Sequence, residues 1–243
     1  MTGQLFLVGV DDTDTLTSPG TNRLVKEIVE ELADRFSCKL ILRHQLLDDP
    51  RVPYTSQNGS ASIWLRATNH AIANTSTEDL LDELRDRMRT GLRDRFVCGS
   101  DPGLVVTTTV PRPVIEFGRR CQRELVSQAE ARAVAESCEL VLEGLGGTND
   151  GVIGALAAIG LAATRSDGRI VRLGNRLDEI SGQQPIAEIR SRGVRVQEIT
   201  TRQTIQSGTV DVGKKLRANL RDGQPTLFVT VNGPGSWQAL KLP

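Results

Sequence analysis

Three carboxylates fall within four residues at Asp11, Asp12 and Asp14, directly after the apolar run Leu5-Phe6-Leu7-Val8 and Val10. Acids crowded at the end of a buried strand raise one another's pKa by repulsion, and a bound cation removes that cost. Hard oxygen donors in this number suit Mg²⁺, usually shared with substrate phosphates. The chain then turns through Pro19-Gly20 into a helix that starts near Thr21. Gly20 and Thr21 thus offer backbone N–H groups and a hydroxyl at a helix start, where an anion is stabilised. The stretch reads as a cation site facing an anion site. Its plainer alternative is an acidic loop with Thr21 as an ordinary N-cap.

A second stretch of the same kind is Gly144-Leu145-Gly146-Gly147-Thr148-Asn149-Asp150-Gly151, which enters the apolar segment Val152-Ile153-Gly154-Ala155-Leu156-Ala157-Ala158-Ile159-Gly160. A glycine-rich loop can bring N–H groups close to phosphate oxygens, and the helix dipole favours the anion there. Gly146, Gly147, Asp150 and Gly151 are the candidate cradle. No Gly-Lys-Ser/Thr ends it, so it is not a Walker A loop. A third candidate is the long polar loop from Asp48 to Ser60, which carries Pro50 and Pro53 and closes on Asn58-Gly59. Loops of this length inside compact domains tend to be functional, although Asn-Gly is also a plain turn signal. His44 has no visible catalytic partner and reads as structural.

These residues need elements to position them. Leu24, Val25, Ile28, Val29 and Leu32 form a helical stripe, which predicts a helix from about Thr21 to Arg35. Strands follow over 39–47 and 61–66. Ser76 or Thr77 then caps a helix whose stripe is Leu80, Leu81, Leu84, Met88 and Leu92, and a strand covers 104–110. The order strand, helix, strand, strand, helix, strand is the split βαβ pattern of ferredoxin-like folds. The fold class is α/β (α+β): a ferredoxin-like βαββαβ sheet in residues 1–110, then a second α/β domain in 111–243 with the glycine-rich loop and a buried helix. Within the second domain, Pro113 suits the first turn of a helix carrying Ile115, Gly118, Cys121 and Leu125, and Ser127 with Glu130 forms a capping box. Brief strands are expected over 138–142, 169–173, 194–199 and 227–231. Lys214, Lys215, Arg217 and Arg221 read as a basic helix face.

Thirty Lys and Arg balance thirty Asp and Glu, a neutral total that argues against an obligate nucleic-acid binder. Four cysteines stand far apart, without zinc-type spacing. No apolar run reaches transmembrane length and no leader precedes the first strand. The expectation is a soluble, cytoplasmic protein with no membrane partner.

Asp11-Asp12-Thr13-Asp14 followed by Gly20-Thr21 resembles the signature of the archaeal agmatinylcytidine synthetases that act on a minor isoleucine tRNA. Pro50, Pro53, Tyr54 and Ala61, the Pro102-Gly103-Leu104-Val105-Val106 step and the glycine-rich helix entry extend the resemblance, in order, to about Ala163. It implies an ATP-using kinase domain, with ATP and Mg²⁺ as cofactors. Asp11, Asp12 and Asp14 are then the catalytic and metal-holding acids, and Thr21 the threonine that becomes phosphorylated. Gly20, Asn58, Gly59, Gly146, Gly147, Asp150 and Gly151 are the nucleotide-binding candidates. Thr55 and Gln57 stand where the archaeal enzymes carry cations, and the OB-fold and zinc ribbon that hold the tRNA there have no counterpart here. The resulting expectation is a phosphoryl-transfer core with its acceptor open. Its partner is a nucleotide, and tRNA is reached weakly or through a partner chain. The oligomeric state is open, with a homodimer among the options. The alternatives are wobble-cytidine modification and a non-catalytic nucleotide-binding regulatory module.

Overall fold

A computed structural model describes residues 4–11, 13, 20–52, 58–95, 97–174 and 180–242. Asp12, Asp14 and the segment 53–57, with Tyr54, Thr55 and Gln57, lie outside the described residues. The chain divides into two compact units, residues 1–164 and 165–243.

The first unit runs β1 (Leu5–Asp11), α1 (Thr21–Glu31), β2 (Phe36–Gln45), β3 (Gly59–Ala67), α2 (Asn69–Asn74), α3 (Thr77–Asp94), β4 (Gly103–Thr107), α4 (Arg112–Cys121), α5 (Gln128–Ser137), β5 (Leu142–Gly144) and α6 (Gly151–Ala163). Its strands are ordered β5-β4-β1-β3-β2, and every neighbouring pair is antiparallel. Ser76 caps α3 by accepting from the Asp79 N–H at 3.1 Å. The Ser127–Glu130 capping box opens α5, and Pro113 sits in the first turn of α4.

Alternation along β1 explains both faces of the sheet. Phe6, Val8 and Val10 point one way and are fully buried. On that side Phe6 meets Phe36 edge-on, with centroids 5.7 Å apart, and the stripes of α1 and α3 supply Ile28, Leu80, Leu84 and Met88 to the core. Leu7 and Gly9 point the other way, toward α6. That helix is apolar on all sides, with eleven buried residues, and α4 packs on it in turn. Helices therefore cover both faces of one sheet.

This arrangement corrects the expected boundary at 110/111. The glycine-rich helix does not found a second domain. It completes the first unit, because the face of β1, β3 and β4 that α1 and α3 leave bare needs an apolar cover. Three smaller corrections accompany it. The first helix ends at Glu31, since Phe36 already belongs to β2. The strand expected over 138–142 lies later, at Leu142–Gly144. Leu125 lies past the end of α4 and is exposed.

The second unit contains β6 (Arg169–Leu173), β7 (Gln183–Pro185), α7 (Ile186–Ser191), β8 (Arg195–Glu198), β9 (Thr209–Asp211), β10 (Asn219–Arg221), β11 (Gln224–Gly233) and β12 (Ser236–Ala239). Its strands run β6-β10-β11-β12-β9-β7, with β8 parallel to β11. Val196, Leu220, Leu227 and Val229 form its interior. The basic helix face is not there: Lys214 and Lys215 sit in a turn and Arg221 ends β10. Glu198 accepts from the Thr200 N–H at 3.0 Å and the Thr201 N–H at 2.5 Å. Those bonds to Thr201 and Thr200 hold its carboxyl down at about 2.

Candidate functional site

The site forms where β1 stops. Asp11 pairs with Gly103 of β4 on one side. On the other side the ladder with β3 reaches Val10 opposite Ala61, which places Ser60 next to Asp11. Ser60 in turn pairs with His44 of β2, and Gly103 with Gly144 of β5. One row across five strands thus reads Gly144, Gly103, Asp11, Ser60, His44. Residues directly opposite in such ladders share a face and lie about 5 Å apart at Cβ. The row faces α6, because Gly9, two residues before Asp11, does so.

The two glycines of the row admit the start of α6. A Cβ at Gly103 would overlap the Gly151 carbonyl oxygen, and one at Gly144 would overlap the Asn149 side chain. One turn into the helix, a Cβ at Gly154 would overlap Asp11 Oδ2 and stand 2.9 Å from Asp11 Cβ. The acidic strand end and the first turn of the glycine-entered helix therefore meet, and Gly154 is the residue that lets the Asp11 carboxylate in. Cys121, at the end of α4, borders the same place. Burial, reinforced by the negative charge of Asp11 and opposed by Arg120, pushes its thiol up to about 12.

Among the described residues, three buried side-chain oxygens have no hydrogen-bond partner. They are Thr13 Oγ1, two residues beyond Asp11, Asn22 Oδ1 in the first turn of α1, and Ser60 Oγ. Thr13 is 2% exposed and Ser60 is 1% exposed. A buried hydroxyl without a partner loses its hydration for nothing in return. Two such hydroxyls are Thr13 Oγ1, two residues past Asp11 in the chain, and Ser60 Oγ, beside Asp11 in the row; Asn22 adds an amide oxygen. The donors are all oxygens, the chemistry that fits Mg²⁺ and phosphate rather than a thiolate- or imidazole-bound metal.

The other expected residues fall into place unevenly. Gly20 is the N-cap of α1, and its carbonyl accepts from the Arg23 N–H at 2.8 Å. Thr21 is the first helical residue and 8% exposed, so it is not the cap. Asn58 spends its amide on loop closure: Nδ2 donates to the Leu47 carbonyl at 2.8 Å, and its own carbonyl accepts from the Leu46 N–H at 3.0 Å. Gly59 lies against the Arg43 guanidinium.

The glycine-rich loop is organised around an internal anion. Asp101 Oδ1 accepts from the Thr148 N–H at 2.6 Å and Oδ2 from the Thr148 hydroxyl at 2.7 Å, while the Asp101 carbonyl accepts from the Gly151 N–H at 3.1 Å. Gly147, at φ +56°, leaves no room for a Cβ beside that carboxylate. The Leu145 and Asn149 N–H groups go to the carbonyls of Pro102 and Gly146. Asp150 accepts from Gln128 Nε2 at 2.6 Å. The Gly151 N–H, expected to hold phosphate, is thus donated to Asp101, as is the N–H of Thr148. No spacing rule exposes that partner, 47 residues upstream. Ser60 was likewise invisible in the sequence, since only strand register shows what it stands beside.

His44 is fully buried and shares a 2.8 Å hydrogen bond between Nε2 and Ser62 Oγ. Among the described residues no helix is long and apolar enough to cross a membrane. Among them, too, no group of three or more His, Cys, Asp or Glu side chains forms a metal cluster.

Solved structures share the fold. A tRNA fluorescent labelling enzyme superposes with a TM-score of 0.53 at 22% identity, covering 64% of this chain and 36% of its own. TiaS in complex with an isoleucine tRNA, AMPCPP and agmatine gives a TM-score of 0.53 at 20% identity, covering 65% and 36%. Apo TiaS, a tRNA agmatidine synthetase, gives 0.52 at 20% identity, covering 64% and 35%. The chain thus matches about a third of the length of these proteins. No curated protein sequence matches it. The profile of the TiaS TCKD domain matches residues 7–146, more than half of the chain and the whole stretch from β1 to the glycine-rich loop, so this chain belongs to the TiaS TCKD domain family.

Proposed function

We propose that this chain is an ATP- and Mg²⁺-dependent enzyme that transfers a phosphoryl group, with an isoleucine-type tRNA as its substrate. The observation that carries the reading is the Asp11 carboxylate set against the first turn of α6, with the partnerless Ser60 hydroxyl next to it in the strand row. Asp11, with Asp12 and Asp14 of the same acidic stretch of sequence, would hold the cation. Thr13, Asn22 and Ser60 would complete the polar lining, and Thr21 at the start of α1 would receive or align the phosphoryl group. Bound Mg²⁺ and ATP would supply charge neutralisation and the electrophilic phosphorus. The chain's own task is alignment, which is most of what phosphoryl transfer needs from a protein. Family membership supports ATP as the nucleotide, since TiaS has been captured with ATP and with AMPCPP.

A separate observation favours RNA as the substrate. The neutral total hides an uneven split. Residues 165–243 hold thirteen Lys and Arg against seven Asp and Glu, and residues 1–164 hold seventeen against twenty-three, so the units differ in sign at net +6 and −6. Arg202, Lys214 and Lys215 are exposed on the positive unit. Such a basic module is the electrostatic footprint of a phosphate-backbone binder. The expectation of weak or partner-mediated tRNA contact has no support from TiaS, which is seen with tRNA bound directly.

The test is ATP consumption by the full chain with Mg²⁺, with and without isoleucine tRNA, alongside mass spectrometry of Thr21. Turnover stimulated by tRNA, with phosphate on Thr21, is the expected result. Binding of AMPCPP without turnover under any RNA would leave a regulatory module instead. tRNA affinity is expected to fall about a hundredfold or more between about 50 and 200 mM salt. Lys214→Glu with Lys215→Glu should weaken tRNA binding and leave AMPCPP binding intact. A salt-independent affinity would remove the positive unit from RNA recognition.

A further inference from the structure

The geometry points to Ser60 as a ligand-binding residue: its hydroxyl gives an oxygen to the cation–phosphate group held at Asp11. This rests on the nucleotide reading above and adds a residue to it. Ser60 is the second residue of β3 and occupies the row position between Asp11 and His44. It is 1% exposed, and its Oγ has no hydrogen-bond partner. The neighbour best placed to engage it, His44, directs Nε2 to Ser62 Oγ at 2.8 Å instead. Ser62, two residues on and on the same face, is therefore the structural serine of this strand, and Ser60 is the unsatisfied one.

Burying a hydroxyl in a sheet without a partner is destabilising, and an alanine would fill the same place without that cost. A serine beside a strand-end carboxylate therefore makes sense when a ligand arrives to use it. The ligand must be oxygen-seeking and must bridge to an acid. A hydrated Mg²⁺ with a nucleotide phosphate meets both requirements, as a hydroxyl does in other phosphoryl-transfer sites.

The experiment compares wild type, Ser60→Ala and Ser60→Thr in two readouts: the thermal midpoint of the ligand-free chain, and AMPCPP affinity by calorimetry with and without Mg²⁺. For Ser60→Ala the ligand-free midpoint is expected to hold or rise, because an orphan hydroxyl is removed. Its Mg²⁺–AMPCPP affinity should fall about tenfold or more. Ser60→Thr keeps the hydroxyl and should recover most of the affinity. A midpoint lowered by several degrees in Ser60→Ala would show that the hydroxyl already has a structural partner, and the proposal fails. Unchanged Mg²⁺–AMPCPP affinity in Ser60→Ala, with wild type binding normally, overturns the Ser60 role alone. Absence of AMPCPP binding in wild type overturns the nucleotide reading, and the Ser60 role with it.

Discussion

Gly154→Ala is expected to leave the chain folded while cutting ATP turnover about a hundredfold or more. On backbone grounds the change favours the helix, since alanine is about 1 kcal/mol better than glycine in a helix interior. The new methyl, however, would occupy the space of Asp11 Oδ2 and come within 2.9 Å of Asp11 Cβ. The carboxylate must rotate out of its place against α6. A displacement of about 1 Å at a reacting centre can cost about a hundredfold in rate. Asp11→Asn supplies the matched control, for it keeps the shape and removes the charge. Both variants should retain wild-type thermal midpoints within a few degrees and lose turnover to a similar extent. If Gly154→Ala turns over normally while Asp11→Asn is inactive, the carboxylate works from a different position, and the role assigned to the β1–α6 contact is wrong.

Gly9→Ala should act on the fold instead. Gly9 sits in the middle of the central strand, and its missing side chain lets the Ala155 carbonyl of α6 rest on the sheet. A Cβ there would overlap that oxygen and stand 3.0 Å from Val105 Cγ1. The obstruction is backbone against backbone, so no rotamer relieves it. Overpacking of this kind costs about 3 kcal/mol or more, a large share of the usual stability margin of about 5–15 kcal/mol. The corresponding loss in thermal midpoint is about 6–12 °C for a domain of this size. Two compact units can melt separately, and the shift should fall on the transition of residues 1–164. Gly182→Ala is the contrasting case. Gly182 has φ +65° and nothing within 4 Å of an added Cβ, so only the strain of a left-handed alanine remains, about 1 kcal/mol. Equal losses in the two variants would mean that crowding at Gly9 is relieved by a shift of α6.

The local periods made the first half of this protein readable. Leu24 to Leu32 and Leu80 to Leu92 declare their helices because one face of each is apolar. The run ending in Asp11 declares a buried strand with a polar end. Ser127 and Glu130 announce α5 through a contact between near neighbours. What the periods cannot carry is distance. An all-round apolar helix such as α6 has no stripe to say which surface it covers, so its place on β1 and β4 appears only when Gly9 and Gly103 are seen to make room for it. Loop donors look available until Asp101 is found holding them. The charge total was equally misleading at Lys214 and Lys215, because a sum over the chain cannot report a boundary at 164/165. The sequence drew attention to the acidic stretch, and the place of Asp11 against Gly154 came from packing alone.

The seating of α6 on bare strand backbone has a consequence for how the protein opens. Its residues from Val152 to Ala162 are covered by the sheet on one side and by α4 on the other, and the Gly160 Cα lies against the Val114 carbonyl of α4. At Gly9, Gly103 and Gly160 backbone meets backbone with no side chain to give way, so the helix cannot loosen there without parting from its neighbours. Amide protons of α6 should therefore exchange with solvent deuterium only through global unfolding of the first unit, more slowly than those of the edge strand β5. The Asp11 carboxylate, seated against Gly154, would then be fastened to the last part of the first unit to breathe.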